Sequence, residues 1–447
     1  MLFALPRNAK IGTQQNGTNI TLEETLRPLW KLTYYSGILL DWCRPVNSPY
    51  RLCKIMHYAG MSLWFSLLLS VMVFEFIQLI LVIGNMSNIH AVVPNLIWFT
   101  PLALTILTYF HYLRRRREFL SFFEDWRCLE EEFTNANTAC IVCESKKIHL
   151  FMYAAYVVMT IGSLVSLGFE IRNNPEAPYL ISSYPSIRET LSLFVIGSIH
   201  LIAIFLAWTL LSLSDFVPSF IHYHAALAVS CLENNAKVVF TKYSSITTEV
   251  KRISPLFPKK FNMTSSSPIK PLKGAFEPTT RDLDLASSIR IMWTRFENIN
   301  EIINRSNYLF GCFMVYGQGG GIFLITTLLY SVLYNLEDAL NLRFEGAIVV
   351  YVLNFIAMIF RFTSCLIISS QLHRSVGKFS ISLNYLLSQH WDRMSKEERD
   401  LLRSFISRLR GDHLAANPLG LYNITPTTLL TIFGLVVSYV IVLLQSK

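Results

Sequence analysis

The stretch that most constrains the fold is at the end of the chain. From Leu429 to Leu444 it is almost wholly apolar, and with its flanks, Thr425 to Lys447, it is long enough to cross a bilayer as a helix. Thr427, Thr431, Gly434, Ser438, Ile441 and Gln445 follow one another at spacings of four, three, four, three and four, which keeps them on one side of a helix. Leu429, Leu430, Phe433, Val436, Val437, Val440 and Leu443 cover the rest. Hydroxyls and amides are costly against lipid, so the stripe should face protein or water. Two readings stand: a helix–helix seam, where Gly, Ser and Thr allow close approach, or a pore wall formed by several copies of this helix. Gln445 favours the pore, because a ring of amides suits hydrated cations.

The rest of the chain is membrane-like. It is 52% hydrophobic and only 15% charged, and the apolar residues come in runs, which predicts a polytopic all-α membrane protein rather than a soluble domain. The net charge of +9 is then a topology signal, not a nucleic-acid footprint. Seven spans are predicted: Gly60 to Ile83, Val92 to Leu113, Ile148 to Phe169, Leu191 to at least Leu213, Leu309 to Leu333, Gly346 to Ser370, and the closing helix. With the N-terminus inside, the inner segments 1–54, 114–147, 233–307 and 371–423 hold 34 of the 39 Lys and Arg. This predicts a cytoplasmic N-terminus and an extracellular C-terminus. The block Arg114 to Arg117 is the strongest single anchor. Residues 1–54 lack a leading apolar core and read as a cytoplasmic tail. The glycosylation patterns at Asn16, Asn19, Asn262, Asn304 and Asn423 fall inside in this topology, and only the one at Asn85 falls outside; such patterns are common by chance, and the charge count outweighs them.

The organisation expected from this is a tail (1–54), spans one to four (55–232), a cytoplasmic loop (233–307), spans five and six (308–370), a cytoplasmic amphipathic region (371–423) and the last helix (424–447). Outer loops are short, so a ligand arriving from outside must bind among the helices. Helices should also project into a cytoplasmic layer. Glu118 to Phe133 is amphipathic, with Phe119, Phe122, Phe123, Trp126, Leu129 and Phe133 on one side. The run His222 to Leu232 extends the fourth helix. Leu283 to Arg305 has helical spacing, and Ser395 to Leu409 opens with a capping box. Thr241 to Thr280, rich in Ser, Pro and Lys, reads as disordered.

Ionisable and polar residues inside spans are functional candidates, because their burial must be offset by a partner. The bland alternatives are Arg361 snorkelling inward and Glu75 bonding a neighbouring helix. Glu75, Gln78, Trp98, Thr326, Tyr330, Tyr351 and Asn354 are the candidates for a ligand pocket in the outer half of the bundle. Gly317 and Gly319 to Gly321 allow close packing or a bend. Cys140 and Cys143 have metal-ligand spacing but no accompanying pair, so neither metal nor cofactor is expected. No nucleophile elbow, His-Glu-x-x-His or phosphate loop occurs, which argues against an enzyme.

Ser438-Tyr439-Val440-Ile441-Val442-Leu443-Leu444-Gln445-Ser446 resembles the signature of insect gustatory receptors: Thr-Tyr, five hydrophobic residues, then Gln-Phe. Gly420 to Ile424 resembles that family's approach to its last helix. So does Ile289 to Tyr334, with Trp293, Asn300, Asn304 and Phe310. The resemblance implies a plasma-membrane, tastant-gated, non-selective cation channel, related to insect odorant receptors. Four subunits, identical or of related receptors, would surround a pore lined by the last helix in contact with membrane lipid. Tyr439 and Gln445 are the motif residues, and Gly434, Ser438, Tyr439, Ile441 and Gln445 the pore and gate positions. Ser438 replaces the usual Thr and keeps the hydroxyl; Ser446 replaces the usual Phe and removes a ring. The rival reading is a seven-helix G-protein-coupled receptor. Against it stand the inverted charge pattern, the lack of an outer cysteine pair and the lack of Asp-Arg-Tyr after the third span. No internal repeat supports a transporter.

Overall fold

A computed structural model describes residues 51–84, 92–135, 161, 193–253, 285–340, 346–411 and 414–445. Among them the regular elements are all helical: α1 (Arg51–Gly84), α2 (Val92–Asn135), α3 (Leu193–Ile253), α4 (Leu285–Leu309), α5 (Gly311–Leu340), α6 (Gly346–His390), α7 (Lys396–Gly411) and α8 (Pro426–Gln445), with short 3-10 turns at Trp391–Arg393 and Pro418–Gly420. Five stretches are long and apolar enough to cross a membrane: Tyr58–Ile77, Ile202–Ser245, Gly311–Leu333, Val352–Arg393 and Pro426–Gln445. The second predicted span is the first half of α2. The third, apart from Ile161, lies outside the described residues, as do Cys140 and Cys143.

The spans run on into water-facing helix without a break. α2 passes straight from its apolar half into the amphipathic segment, bending only at Arg115. There Phe119, Phe122, Trp126 and Leu129 are buried. Their rings mesh with Phe310 and Phe313 at centroid separations of 5.0 to 5.5 Å for Phe119–Phe310, Phe119–Phe313 and Phe122–Phe310, the offset and edge-on spacing that adds to burial. α3 and α6 likewise extend well past the predicted ends of the fourth and sixth spans. Disorder from Thr241 is corrected as far as Ile253, where α3 is still helical. Thr241 and Ser245 donate their hydroxyls to the carbonyls of Lys237 and Lys242 at 2.8 Å. Ser and Thr on a helix can satisfy themselves this way, so composition misleads here.

The described chain forms two compact units: Met1–Leu227 with Glu301–His373 and Ala415–Lys447, and Ala228–Asn300 with Arg374–Leu414. In the first, an apolar core joins Ile97 of α2, Met314, Leu324, Ile325 and Leu328 of α5, Met358, Phe362 and Leu366 of α6, and Val436 and Val440 of α8. Through this unit runs an ion pair. Arg361 of α6 is 2% exposed and Asp215 of α3 9%. Arg361 Nε donates to Asp215 Oδ2 at 3.0 Å, its Nη2 donates to the same oxygen, and Nη2 also reaches the Leu211 carbonyl at 3.1 Å. Arg361 therefore does not snorkel: a carboxylate on the neighbouring helix neutralises it in place. α5 accommodates the pair with a glycine, because a Cβ at Gly317 would overlap the Asp215 carboxylate. The neighbouring glycines pack as well: a Cβ at Gly320 would collide with Leu104, and one at Gly321 would sit 2.9 Å from a Phe362 ring carbon. Gly317, Gly320 and Gly321 serve close packing while Gly319 faces open space, and α5 continues through them as helix.

In the second unit, α4 and α7 pack through aromatic rings. Phe405 stacks on Trp293 at 5.5 Å and meets Phe296 and Phe379 edge-on. The expected capping box forms: Glu398 N–H donates to Ser395 Oγ at 3.2 Å, and Ser395 N–H donates to Glu398 Oε2 at 2.7 Å. Arg408 grips Glu297 bidentately at 2.8 and 3.1 Å, which holds the Glu297 carboxyl below its ordinary value of 4.5.

Two outcomes are expected. Gly317→Ala, or Arg361→Met leaving Asp215 unpaired, should destabilise the protein by about 1–3 and about 3–5 kcal/mol respectively, measured as lost folded yield and a lower melting temperature in detergent. Because Glu297 is depressed, its stabilisation is present above the ordinary glutamate pKa and lost as pH falls through the lower folded value. The melting-temperature gap between wild type and Glu297→Gln should therefore narrow below about pH 4.5, and a gap constant with pH would contradict the pairing.

Candidate functional site

The last helix is built of a buried face, an opposite polar stripe and two flanks between them. Its buried residues are Val436 and Val440, with Leu429, Ile432, Leu443 and Leu444 packed partly against the same core. At about 100° per residue, this face lies roughly opposite the stripe of Thr427, Thr431, Gly434, Ser438, Ile441 and Gln445, all of which are exposed. The polar stripe thus points away from the core that its own helix packs on, and among the described residues it is not a seam with another helix of the same unit. The two flanks between these faces are apolar and exposed: Leu430 and Val437 at 73% and 51% on one side, Val442 and Tyr439 at 61% and 56% on the other. Tyr439, expected among the pore residues, is on a flank and not on the stripe.

The stripe's hydroxyls are already half satisfied. Ser438 donates to the Gly434 carbonyl at 2.9 Å and Thr431 to the Thr427 carbonyl at 3.3 Å. With the Thr431 and Ser438 protons turned back along the helix, the outward side of those two oxygens carries lone pairs. Such a surface attracts cations and repels anions. A Cβ at Gly434 would meet nothing within 4 Å.

A folded strap, residues 414–425, leads into this helix, and sequence resemblance marks only its Gly420 to Ile424. Its Leu414, Ala415, Ala416 and Ile424 are buried. Within it Ile424 N–H donates to the Ala416 carbonyl at 2.8 Å and Asn417 Nδ2 donates to Asn423 Oδ1 at 3.0 Å. Leu419 and Gly420 turn the chain with φ of 54° and 76°, a region costly for a leucine. Helices of the same unit hold the strap at three levels. Asn307 Nδ2 donates to the Ala415 carbonyl at 3.0 Å, while its Oδ1 accepts from Asn417 N–H at 3.0 Å and from His222 Nε2 at 3.1 Å. Gly311 leaves room for the Leu419 backbone, whose nitrogen would lie 2.7 Å from an added Cβ. Tyr422 donates its hydroxyl to Gln318 Oε1, one residue beyond the glycine that receives Asp215. Burial pushes the Tyr422 phenol up to about 12, so it remains a donor at neutral pH. The strap ends in a cap: Thr425 N–H donates to Thr428 Oγ1 at 3.1 Å, and Pro426 opens α8, a position that needs no donor.

Among the ligand-pocket candidates, Glu75, Thr326, Tyr330 and Asn354 are buried. Tyr330 belongs to the core shared with Ile97 and Met358, and Thr326 donates to the Ile322 carbonyl at 2.8 Å. Gln78, Trp98 and Tyr351 are on α1, α2 and α6, but their side chains lie outside the described residues. Asn307, Gln318 and Tyr422 are the residues that sequence reasoning did not join. Gln318 is a polar residue inside the fifth span, and its partner is 104 positions away.

Comparison with solved structures gives the same fold. The insect olfactory receptor OR5 from Machilis hrabei in complex with eugenol aligns with a TM-score of 0.65 at 12% identity, covering 94% of this chain and 99% of that one. A second structure of the same receptor aligns at 0.63 and 13%, with the same coverage. No curated protein matches in sequence. A sequence model of the 7tm chemosensory receptor family matches residues 26–447. That match, carried by a seven-helix membrane fold and not by any enzyme's, shows that the chain is a multi-pass membrane receptor belonging to the 7tm chemosensory receptor family.

Proposed function

We propose that the protein is a gustatory receptor: a tastant-gated, non-selective cation channel in which four subunits surround a pore lined by α8. The observation that carries this is the polar stripe of α8, exposed and opposite the face buried in its own subunit. A helix with a wet-favouring stripe between two apolar flanks cannot sit alone in lipid without cost. Ringed by copies of itself, it would turn the stripe to an aqueous axis and its flanks to neighbouring subunits. The outward lone pairs of Thr431 and Ser438 and the amide of Gln445 favour cations along that axis. The subunits are identical or include related receptors; the site needs only that each contributes one such helix.

The charge asymmetry supports a cytoplasmic N-terminus and an extracellular C-terminus, with Gln445 at the outer end of the pore. The motif from Ser438 to Gln445 supports taste. An odorant ligand is the second reading, favoured by the likeness to an olfactory receptor described in complex with eugenol. Either way a small molecule would bind among Glu75, Gln78, Trp98, Thr326, Tyr330, Tyr351 and Asn354.

Expression of the protein alone, with calcium imaging against sugars, bitter compounds and volatile odorants, tests the reading. A ligand-evoked current without G protein is expected, and a C-terminal epitope should stain on intact cells. A response abolished by blocking G proteins would overturn it. Gln445→Ala should change single-channel conductance or ion selectivity while leaving surface level near wild type, because Gln445 is exposed; unchanged conductance and selectivity would mark the stripe as an inter-subunit seam. Tyr422→Phe should remove the strap's bond to Gln318, about 1 kcal/mol, and raise the half-activating concentration of the best agonist about fivefold at unchanged surface level.

A further inference from the structure

α2 leaves the apolar zone through its arginine block, and the geometry there is that of a site. Leu107 and Phe110 are 46% and 56% exposed, Phe110 meeting the Phe65 ring of α1 edge-on at 5.5 Å and leaving the rest of its face open. Seven and ten positions beyond Leu107, the same helical face carries Arg114 and Arg117, both exposed. A lipid-facing stripe therefore ends in two guanidinium groups, and neither forms an ion pair among the described residues. The two arginines between them are fixed by tyrosines. Arg115 donates to Tyr308 Oη at 2.9 Å and lies over that ring at 4.2 Å; Arg116 donates to Tyr58 Oη at 2.6 Å and lies over its ring at 5.3 Å. Tyr308 and Tyr58 are 54% and 40% exposed, the placement of aromatic residues at a membrane–water interface. At Arg115 the backbone departs from helix, with φ −113° and ψ 16°. Its Nη1 is buried and has no hydrogen-bond acceptor. The exposed Glu118 offsets only one of the four positive charges.

A buried guanidinium N–H without an acceptor is costly, and unpaired arginines at the end of a lipid-facing stripe call for an anion that arrives with acyl chains. We propose that Arg114 to Arg117, flanked by Tyr58 and Tyr308, form a binding site for an anionic phospholipid. The headgroup phosphate takes the forked donors of Arg114 and Arg117, for which a guanidinium is suited. The chains lie along Leu107 and Phe110. Continuity between the apolar stripe and the charged one selects a membrane lipid over a free phosphate, which would use only the upper half of the site.

The test uses the full-length receptor in nanodiscs and native mass spectrometry of retained lipid, with phosphatidylserine against phosphatidylcholine. Wild type should retain phosphatidylserine preferentially. R114A/R117A should weaken that retention roughly thirtyfold, whereas K396A/R410A, which removes the same charge from exposed positions of α7, should not. Equal loss in both variants reduces the block to general charge and overturns the proposal. So does competition by inorganic phosphate as effective as by lipid. A photoactivatable phosphatidylserine on wild-type protein reads the site without any variant: labelling of the peptide spanning 107–118 is expected, and labelling confined to other helices overturns the assignment.

Discussion

A carboxylate and a guanidinium buried together between long helices set the terms for the larger unit. Asp215 and Arg361 are nearly inaccessible, and either alone would be an uncompensated charge far from water. Their pairing fixes α3 against α6 in depth and rotation, since an ion pair tolerates little sliding where an apolar seam tolerates more. It also dictates the third helix: α5 must offer a glycine where Asp215 arrives. The next residue on α5, Gln318, is thereby placed where Tyr422 can reach it. One electrostatic contact in the bundle thus determines where the strap below the last helix is anchored.

The strap is a different kind of joint. Apart from the buried Leu414, Ala415, Ala416 and Ile424, it is held by neutral hydrogen bonds from Asn307 and Tyr422 and by a turn whose leucine has positive φ. Neutral bonds contribute about 1 kcal/mol each, well below the cost of separating the ion pair. Movement in the larger unit is therefore easier at the strap than at the charge pair. That ordering suits a scaffold that holds its shape while one helix shifts.

Much of this was legible in the sequence. Uninterrupted apolar runs gave the spans, because a helix in lipid must be apolar over its length. The four-three spacing of Thr427 to Gln445 gave the stripe, because helical periodicity is local. The capping box at Ser395 and the ring-bearing faces of α2 and α4 were likewise short-range patterns. What stayed hidden was non-local. Asp215 and Arg361 are 146 positions apart, and nothing near Arg361 distinguishes a paired residue from a snorkelling one. Asn307 and Asn417, 110 apart, are unremarkable asparagines until the fold joins them. Thr241 to Ile253 misled because Ser, Thr and Lys signal disorder in bulk composition, while in place their hydroxyls close onto the preceding turn. Tyr439 was grouped with the pore by motif, and helical rotation puts it on a flank.

The division of labour on α8 has an evolutionary corollary. Val436 and Val440 pack the helix against the core, and among the described residues the side chains facing the other way bond only to their own helix and its cap. Mutations along the stripe therefore escape the quality control that removes misfolded chains. That line can diverge between relatives at little cost to the scaffold, and substitutions confined to it should yield receptors that still fold and reach the membrane.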